Sequence, residues 1–396
     1  MEIERVASSR AKGISMNADV IIIGGGLVGA ATAYGLASRN VRVLVLDGSD
    51  RDSRAANANG GLVWLQSKGL DMPAYQQLSR ESVALWPHFS AEIKDATAVD
   101  LQLEQNGGLA FCLGDAEFER RSEIMRRWHE QRGVEEPDWE MVGRSDIMKL
   151  LPNARIGPDV VGASYCYRDG QVNPLRLLSS LHMGIVRKGG QLRTGSLVQS
   201  VQGDGCGGFT VAFGSEQASA ARVVIAAGLG SKALGAQVGL DVPIRPQRGQ
   251  MLVTERLESF LPLPLHGLSQ TQLGTVLIGA TNEEVGFDRS TTSDAAARLS
   301  TKAVRWLPEL AATKLVRQWA GLRIMTPDGH PIYAESETHP GAFIAVCHSG
   351  VTLAAAHSGL LAQAVAAGGL PSSFDAFHHR RFEAPKVERV DASDSE

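Results

Sequence analysis

The strongest constraint on this chain is the stretch VIIIGGGLVGAATAYGLASRN at residues 20–40. Residues 20–23 are β-branched and continuously apolar, the pattern of a strand buried on both faces. Gly24, Gly26 and Gly29 follow as G-x-G-x-x-G. The first glycine permits a tight turn and the second lets a pyrophosphate approach the backbone. The third lets the next helix, expected over residues 28–38, pack closely on the strand. Free N–H groups and the positive dipole end favour phosphate at the start of that helix. A second strand, expected over residues 41–46, ends in Asp47, where a carboxylate can accept both ribose hydroxyls of an adenosine. The glycines alone would also suit an ordinary glycine-rich turn. Strand, glycines, helix, strand and acid in this order specify a dinucleotide-binding unit.

A chain of 396 residues exceeds one compact core and suits two domains. With 43% hydrophobic and 21% charged residues, it has the balance of a globular protein. The net charge is −4 with both signs mixed along the chain, which excludes a dedicated nucleic-acid surface. Four scattered cysteines without a CxxC pair give no ligand set for an Fe–S cluster or structural zinc, and fit a reduced, cytoplasmic protein. There is no GxSxG elbow, no histidine pair at i,i+4 and no metal-ligand cluster. Residues 1–16 lack the apolar core of a secretion signal and read as a loose tail, with Met16 as an alternative start. Residues 352–370 are interrupted by His357, Ser358 and Gln363, so they read as a buried helix and no transmembrane segment is expected. The polar residues 383–396 are expected to fray.

The strand–glycine–helix plan recurs far downstream, in ARVVIAAGLGSKALG (221–235) and GAFIAVCHSGVTLAAAHSGLLAQAVAAG (341–368). A simple nicotinamide dehydrogenase would complete its nucleotide domain in consecutive sequence. Three separated units indicate one domain gathered from distant segments, able to enclose a long cofactor. Between them, QGDGCGGF (202–209) reads as a hairpin turn joining two alternating strands.

Over residues 17–384 the chain resembles the D-amino-acid oxidase/glycine oxidase superfamily of flavoproteins. The resemblance rests on the opening motif, on SRAANANGGLVW (53–64) as a second flavin loop, and on VVIAAGLGS. It rests further on RPQRGQMLVTE (245–255), and on WAGLRIMTPDGHPI followed by CHSGVTLAAAHSG as the C-terminal signature. Within the superfamily the chain is similar to the flavin subunits of hydrogen cyanide synthase, D-hydroxyproline dehydrogenase and opine oxidases. The resemblance implies an α/β flavoprotein of the glutathione-reductase type, with a Rossmann-like FAD-binding domain and an interleaved α+β substrate domain. The expected FAD segments are 17–80, 155–240 and 321–384, with the substrate domain at 81–154 and 241–320. Residues 86–133 are expected to contain strand-like alternation and then a charged helix, as an inserted cap would.

The same resemblance assigns the pyrophosphate to Gly24, Gly26 and Gly29 and the ribose to Asp47. Ser53 and Arg54 approach the phosphates, or Arg54 is a solvated loop charge. Gly60 and Gly61 let the backbone pass close to the flavin ring, Val198 lends its backbone to the adenine, and Gly228 belongs to the Ala-Gly segment. The N–H groups of Ser349, Gly350, Val351, Thr352 and Leu353 face the flavin N1–C2=O edge, where a helix start stabilises negative charge. Arg323 takes the place of the arginine that clamps a substrate carboxylate, a role suited to a guanidinium that stays charged when buried; a structural ion pair is the alternative. His348 and His330 either line the pocket or satisfy loop carbonyls, while Tyr333 and Trp319 read as packing. The GLRIMTPDG region lacks the cysteine by which monomeric sarcosine oxidases tether their flavin, so non-covalent FAD is expected.

The implied reaction oxidises the C–N bond of an amino-acid-like substrate (a D-amino acid, D-hydroxyproline or an opine) by hydride transfer to flavin N5. No protein base is required, because the amine lone pair assists. Electrons then pass to partner subunits carrying Fe–S or a second flavin. The alternatives are a free-standing oxidase of glycine, sarcosine or a D-amino acid, and a non-catalytic flavin-binding subunit.

Overall fold

The computed structural model describes residues 16–48, 55–133 and 136–383. At the centre of its eight-stranded sheet, Met16–Ile23 runs parallel to Val43–Leu46 on one side and to Glu216–Ile225 on the other. Ala342–Val346 extends the sheet in parallel beyond Glu216–Ile225, and Gln191–Arg193 extends it beyond Val43–Leu46. Ile332–Glu335 closes one edge in antiparallel register. Met16 pairs with Ala218, so strands about 200 residues apart in the chain lie side by side, as the repeated strand–glycine–helix pattern requires. Val20, Ile21, Ile22 and Ile23 are at most 2% exposed, because alternate side chains enter the two cores above and below the sheet. The predicted hairpin is also present: Val198–Gly203 pairs with Phe209–Phe213, and in its turn Asp204 accepts the N–H groups of Cys206 and Gly208.

Helix Leu27–Ala37 follows the first strand and is buried on nearly every side, which its alanines and glycines allow. At Gly35 a Cβ would stand 2.0 Å from the Ser358 carbonyl oxygen, so this helix and the last helical segment meet backbone to backbone. Arg39 then binds the Gly35 and Ser358 carbonyls at 2.7 and 3.0 Å.

A second layer stands over one end of this sheet. It contains a four-stranded antiparallel sheet, Leu268–Gln270, Thr275–Gly279, Arg245–Arg256 and Leu315–Met325, and a three-stranded sheet, Gly108–Leu113, Val160–Cys166 and Trp139–Gly143. Bridges through Leu265 join the two, and a separate core that includes Leu252, Leu265, Val276 and Trp306 holds them together.

Within residues 86–133 a strand, Gly108–Leu113, and a charged helix, Asp115–Glu130, stand in the expected order. Residues 86–97 before them end a 25-residue helix, Pro73–Thr97, that packs on the nucleotide side of the molecule. Val83, Trp86, Phe89 and Ile93 recur at helical spacing and are all buried against that layer. Pro87 sits inside the helix and cannot bond the Val83 carbonyl; Gln105 donates its side-chain amide there instead, at 3.1 Å. In addition, Val160–Cys166 belongs to the upper sheet, and Leu315–Met325 is a single strand of it, so the segment boundaries expected at 155 and 321 fall differently from the sheets.

Candidate active site

The nucleotide turn has the geometry its glycines require. Gly24 has φ +104°, and a Cβ there would stand 2.4 Å from the Ala226 carbonyl oxygen. At Gly29 a Cβ would stand 1.9 Å from the Gly24 carbonyl oxygen, whereas Gly26, at the helix start, has no atom within 4 Å of that position. Two glycines therefore serve internal packing, and the third faces open space. Asp47 Oδ2 accepts the Gly25 N–H at 2.8 Å, fastening the turn to the second strand. The Ser196 N–H donates to the Asp47 carbonyl at 2.7 Å, which brings the segment leading into Val198 beside the acid. Gly228 lies just beyond Glu216–Ile225, beneath Ile324. Ser53 and Arg54 lie outside the described residues.

Between the two layers lies a cavity of about 490 Å³. Gly60, Gly61, Ser349, Val351 and Thr352 line it from the nucleotide side, and Gln247, Met251, His266 and Arg323 from the upper sheet. Asn59 shapes its glycine loop: the side-chain oxygen accepts the Gly61 N–H at 3.0 Å while the amide donates to Ala56 at 2.7 Å. The loop containing Ser349 and Gly350 rests on the first helix, since a Cβ at Gly350 would stand 3.3 Å from Leu27 Cβ. The Thr352 hydroxyl receives the Trp64 N–H at 3.1 Å. The structure thus joins Gly60, Gly61, Arg323, His348, Ser349, Val351 and Thr352 around one space. The Leu353 N–H is committed to the turn, donating to the Ser349 carbonyl at 3.1 Å. It does not face the cavity.

Arg323 projects from Leu315–Met325 opposite Gln247 on the neighbouring strand. Its Nη1 donates to the Thr281 carbonyl at 2.8 Å and to Gln247 Oε1 at 3.4 Å, and it makes no ion pair among the described residues. His348 reaches into the cavity, where burial and the positive charges of Lys68 and Arg323 push its pKa down to about 3. Its Nε2 lies 3.3 Å from Ser349 Oγ. His330 packs edge-on against Tyr75 outside the cavity lining, and Tyr333 is a core residue sharing a 2.7 Å hydrogen bond with His357. Cys347 is buried in the core, and burial raises its thiol pKa to about 12.

Several residues on the cavity wall gave no signal in the sequence. Lys68 Nζ donates to Ser349 Oγ at 2.7 Å, a hydroxyl that also receives the Tyr75 O–H at 2.8 Å. Burial lowers the Lys68 pKa to about 8. His266 stacks 5.5 Å from Trp64, and its pKa is pushed to about 4 by burial and then by Arg121, Lys302 and Lys68. Behind this wall a polar network pins the 64–68 loop. Asp169 accepts the Leu65 N–H at 2.5 Å and the Gln66 amide at 2.8 Å, and Arg121 donates to Gln66 and Ser164 at 2.9 and 2.7 Å. Desolvation raises the Asp169 carboxyl to about 7. Lys68 itself follows the recognisable GGLVW stretch by only four residues, so a cation just beyond a flavin loop was the available clue.

Comparison with known proteins agrees with this architecture. The chain is 41% identical over 369 residues to an opine oxidase subunit of Agrobacterium tumefaciens (strain Ach5), covering 93% of this chain and 99% of the relative. It is 30% identical over 338 residues to glycine oxidase of Pseudomonas putida, covering 83% and 88% respectively. The crystal structure of glycine oxidase from Geobacillus kaustophilus superposes with a TM-score of 0.81 at 26% identity, over 91% of this chain and 98% of that one. The family model described as DAO, FAD dependent oxidoreductase, matches residues 19–364. A split nucleotide sheet, an open glycine turn and a cavity under a second sheet therefore carry a family assignment: the chain belongs to the DAO family of FAD dependent oxidoreductases.

Proposed function

We propose that this oxidoreductase oxidises the carbon–nitrogen bond of an amino-acid-like substrate of the opine or D-amino-acid type, as the flavin subunit of a dehydrogenase complex. The observation that carries the reading is Arg323, a cation whose acceptors in the cavity, among the described residues, are all neutral. A buried guanidinium without a counter-charge is a site for a carboxylate, which it holds by two parallel hydrogen bonds.

The residues present fit FAD. Open space at Gly26, the turn at Gly24 and Gly29, and Asp47 would hold the pyrophosphate and ribose, with Val198 and Gly228 alongside. Gly60, Gly61 and the Ser349–Thr352 loop would border the ring. Among the described residues no cysteine lines the cavity, which supports non-covalent binding. Bound FAD would supply the hydride acceptor.

This chain's own part is positioning. Arg323 fixes the carboxylate and so decides which Cα–H faces the glycine wall. His348, kept neutral by burial and neighbouring cations, is a weak base and serves as a hydrogen-bond partner for the amine. Among the described residues no carboxylate lines the cavity to remove a proton, in keeping with an amine that enters unprotonated. The likeness to a protein named as a subunit supports assembly with partners carrying Fe–S or a second flavin.

The test is anaerobic. The purified chain is mixed with glycine, sarcosine, D-proline, D-hydroxyproline, other D-amino acids and opines, and loss of the flavin's visible absorbance is followed. Bleaching by an opine or D-amino acid without rapid peroxide formation in air is expected. Rapid peroxide would instead indicate a free-standing oxidase, and a bound flavin bleached by none of these would overturn the C–N reading.

A further inference from the structure

Among the described residues the cavity wall carries three cations, Lys68, Lys302 and Arg323, and no aspartate or glutamate. The hydrogen-bond and ring partners of each cation among the described residues are neutral, although Lys68 also feels the Asp169 carboxyl behind the wall. Arg323 bonds to a carbonyl and an amide oxygen, and Lys68 to the Ser349 hydroxyl. Lys302 Nζ sits over the Trp306 ring, 4.6 Å from its centroid. They are also spread along the wall. Arg323 lies over Gly249, opposite Gln247, whereas Lys302 sits on Trp306, whose ring approaches Gly267. Arg323 and Lys302 therefore mark two separate stretches of the wall, and Lys68 stands beside Ser349 on the nucleotide side.

One carboxylate at Arg323 leaves the far end of this wall uncompensated. Lys302 projects from helix Ser293–Trp306, which turns Leu299, Lys302, Ala303 and Trp306 toward the cavity at helical spacing. Its ammonium is exposed at the cavity's edge, and the stem and charge rest on the Trp306 face. That is an arrangement for meeting an anion that enters with the substrate.

We infer that Lys302 is a specificity-determining residue that reads a second carboxylate, so that the preferred substrate is a secondary amine carrying a carboxylate on each arm. The inference rests on the proposed role of Arg323 and goes further by assigning the outer end of the cavity. A substrate with two anionic arms spans the wall, with its C–N bond between Arg323 and Lys302. A monocarboxylate amine engages Arg323 alone. Charge-assisted hydrogen bonds of this kind contribute a factor of roughly 10 to 100 in affinity, and exposure places Lys302 near the lower value.

Thioether analogues test this without requiring oxidation. Thiodiacetate has two carboxylates and (methylthio)acetate has one; neither contains a C–N bond. Binding of each to the flavin-loaded protein is measured by calorimetry at neutral pH, in the natural protein and in Lys302→Met and Lys302→Arg. Thiodiacetate is expected to bind about tenfold tighter, Lys302→Met to erase that advantage, and Lys302→Arg to restore most of it. Equal affinity for the two compounds, no binding of either, or an advantage that survives Lys302→Met would each overturn the inference. Tight thiodiacetate binding by a protein whose flavin no amine bleaches would instead overturn the C–N reading, and the amine with it, while Lys302's recognition of a second carboxylate stands.

Discussion

The Arg323 guanidinium lies across the strand at Gly249, where a methyl group would stand 2.8 Å from Nη1 and 2.9 Å from Cζ. The absence of a side chain at Gly249 is therefore what lets the guanidinium lie flat against the sheet with its edge toward the cavity. Gly249→Ala is expected to push the guanidinium away while leaving the strand pairing with Gly321 intact. Displacement by about 1 Å costs as much as a hundredfold where geometry controls reactivity. The expected result is a roughly tenfold or larger rise in the substrate dissociation constant, measured by anaerobic flavin bleaching, with a melting temperature within a few degrees of the natural protein. Arg323→Lys should not restore binding, because an ammonium cannot reproduce the planar fork. Full activity in Arg323→Lys would remove the carboxylate clamp from the mechanism.

The glycine turn separates packing from ligand contact. At Gly29 a methyl would collide with the Gly24 carbonyl, so Gly29→Ala must force the helix from the strand. At Gly26 a methyl would meet no protein atom. Gly29→Ala is therefore expected to lower both apoprotein stability and flavin content. Gly26→Ala should leave the apoprotein melting temperature nearly unchanged and still reduce the flavin-to-protein ratio of the purified sample. If Gly26→Ala keeps its full flavin content, the open space at the helix start is not where the pyrophosphate sits.

The division between legible and hidden features follows the range of the forces involved. The nucleotide turn was readable because its requirements are local: residues 20–29 contain both the apolar run and the glycines whose collisions the structure displays. Arg323 was readable through its signature stretch. Lys302 and His266 were not, because each reaches the cavity only through packing of a helix or loop over the upper sheet. Helix Ser293–Trp306 has a regular apolar face, but periodicity does not say what that face covers. The helix through residues 86–97 is hidden for a similar reason. Pro87 argues against helix locally, and the compensating bond to the Val83 carbonyl comes from Gln105, 22 residues further along the chain.

Lys68 supplies a pH dependence. Burial lowers its pKa to about 8, so its charge is present below that value and lost above it. An anionic ligand in the cavity favours the protonated form. Affinity for a simple carboxylate inhibitor should be constant from pH 6 to 7.5 and weaken as pH rises past 8, by at most tenfold per unit for one proton. An inhibitor without an amine keeps the ligand's own ionisation out of the measurement. Lys68→Met should bind more weakly at pH 7 and show no inflection. An inflection that persists in Lys68→Met would assign the titration to another group.

His357 links the fold to acid stability. Its Nε2 shares a 2.7 Å hydrogen bond with Tyr333, its Nδ1 has no hydrogen-bond partner among the described residues, and desolvation lowers its pKa to about 3. In the unfolded chain a histidine titrates near 6.5. Between those values the unfolded state binds a proton that the folded state refuses, so stability must fall as pH drops from about 6.5 toward 3. His348 and His266, with pKa values lowered to about 3 and about 4, act in the same direction. His357→Gln keeps a hydrogen-bonding group for Tyr333 but cannot ionise. At pH 7 the variant is expected to be less stable than the natural protein, having lost the ring's packing among buried aromatics. On acidification its stability should decline less steeply, by up to about 1.4 kcal/mol per pH unit, which is one proton's worth. Urea midpoints at pH 7, 5.5 and 4.5 give the two slopes directly. Parallel slopes would mean that His357 already carries a proton in the folded protein, with its Nδ1–H finding an acceptor on acidification.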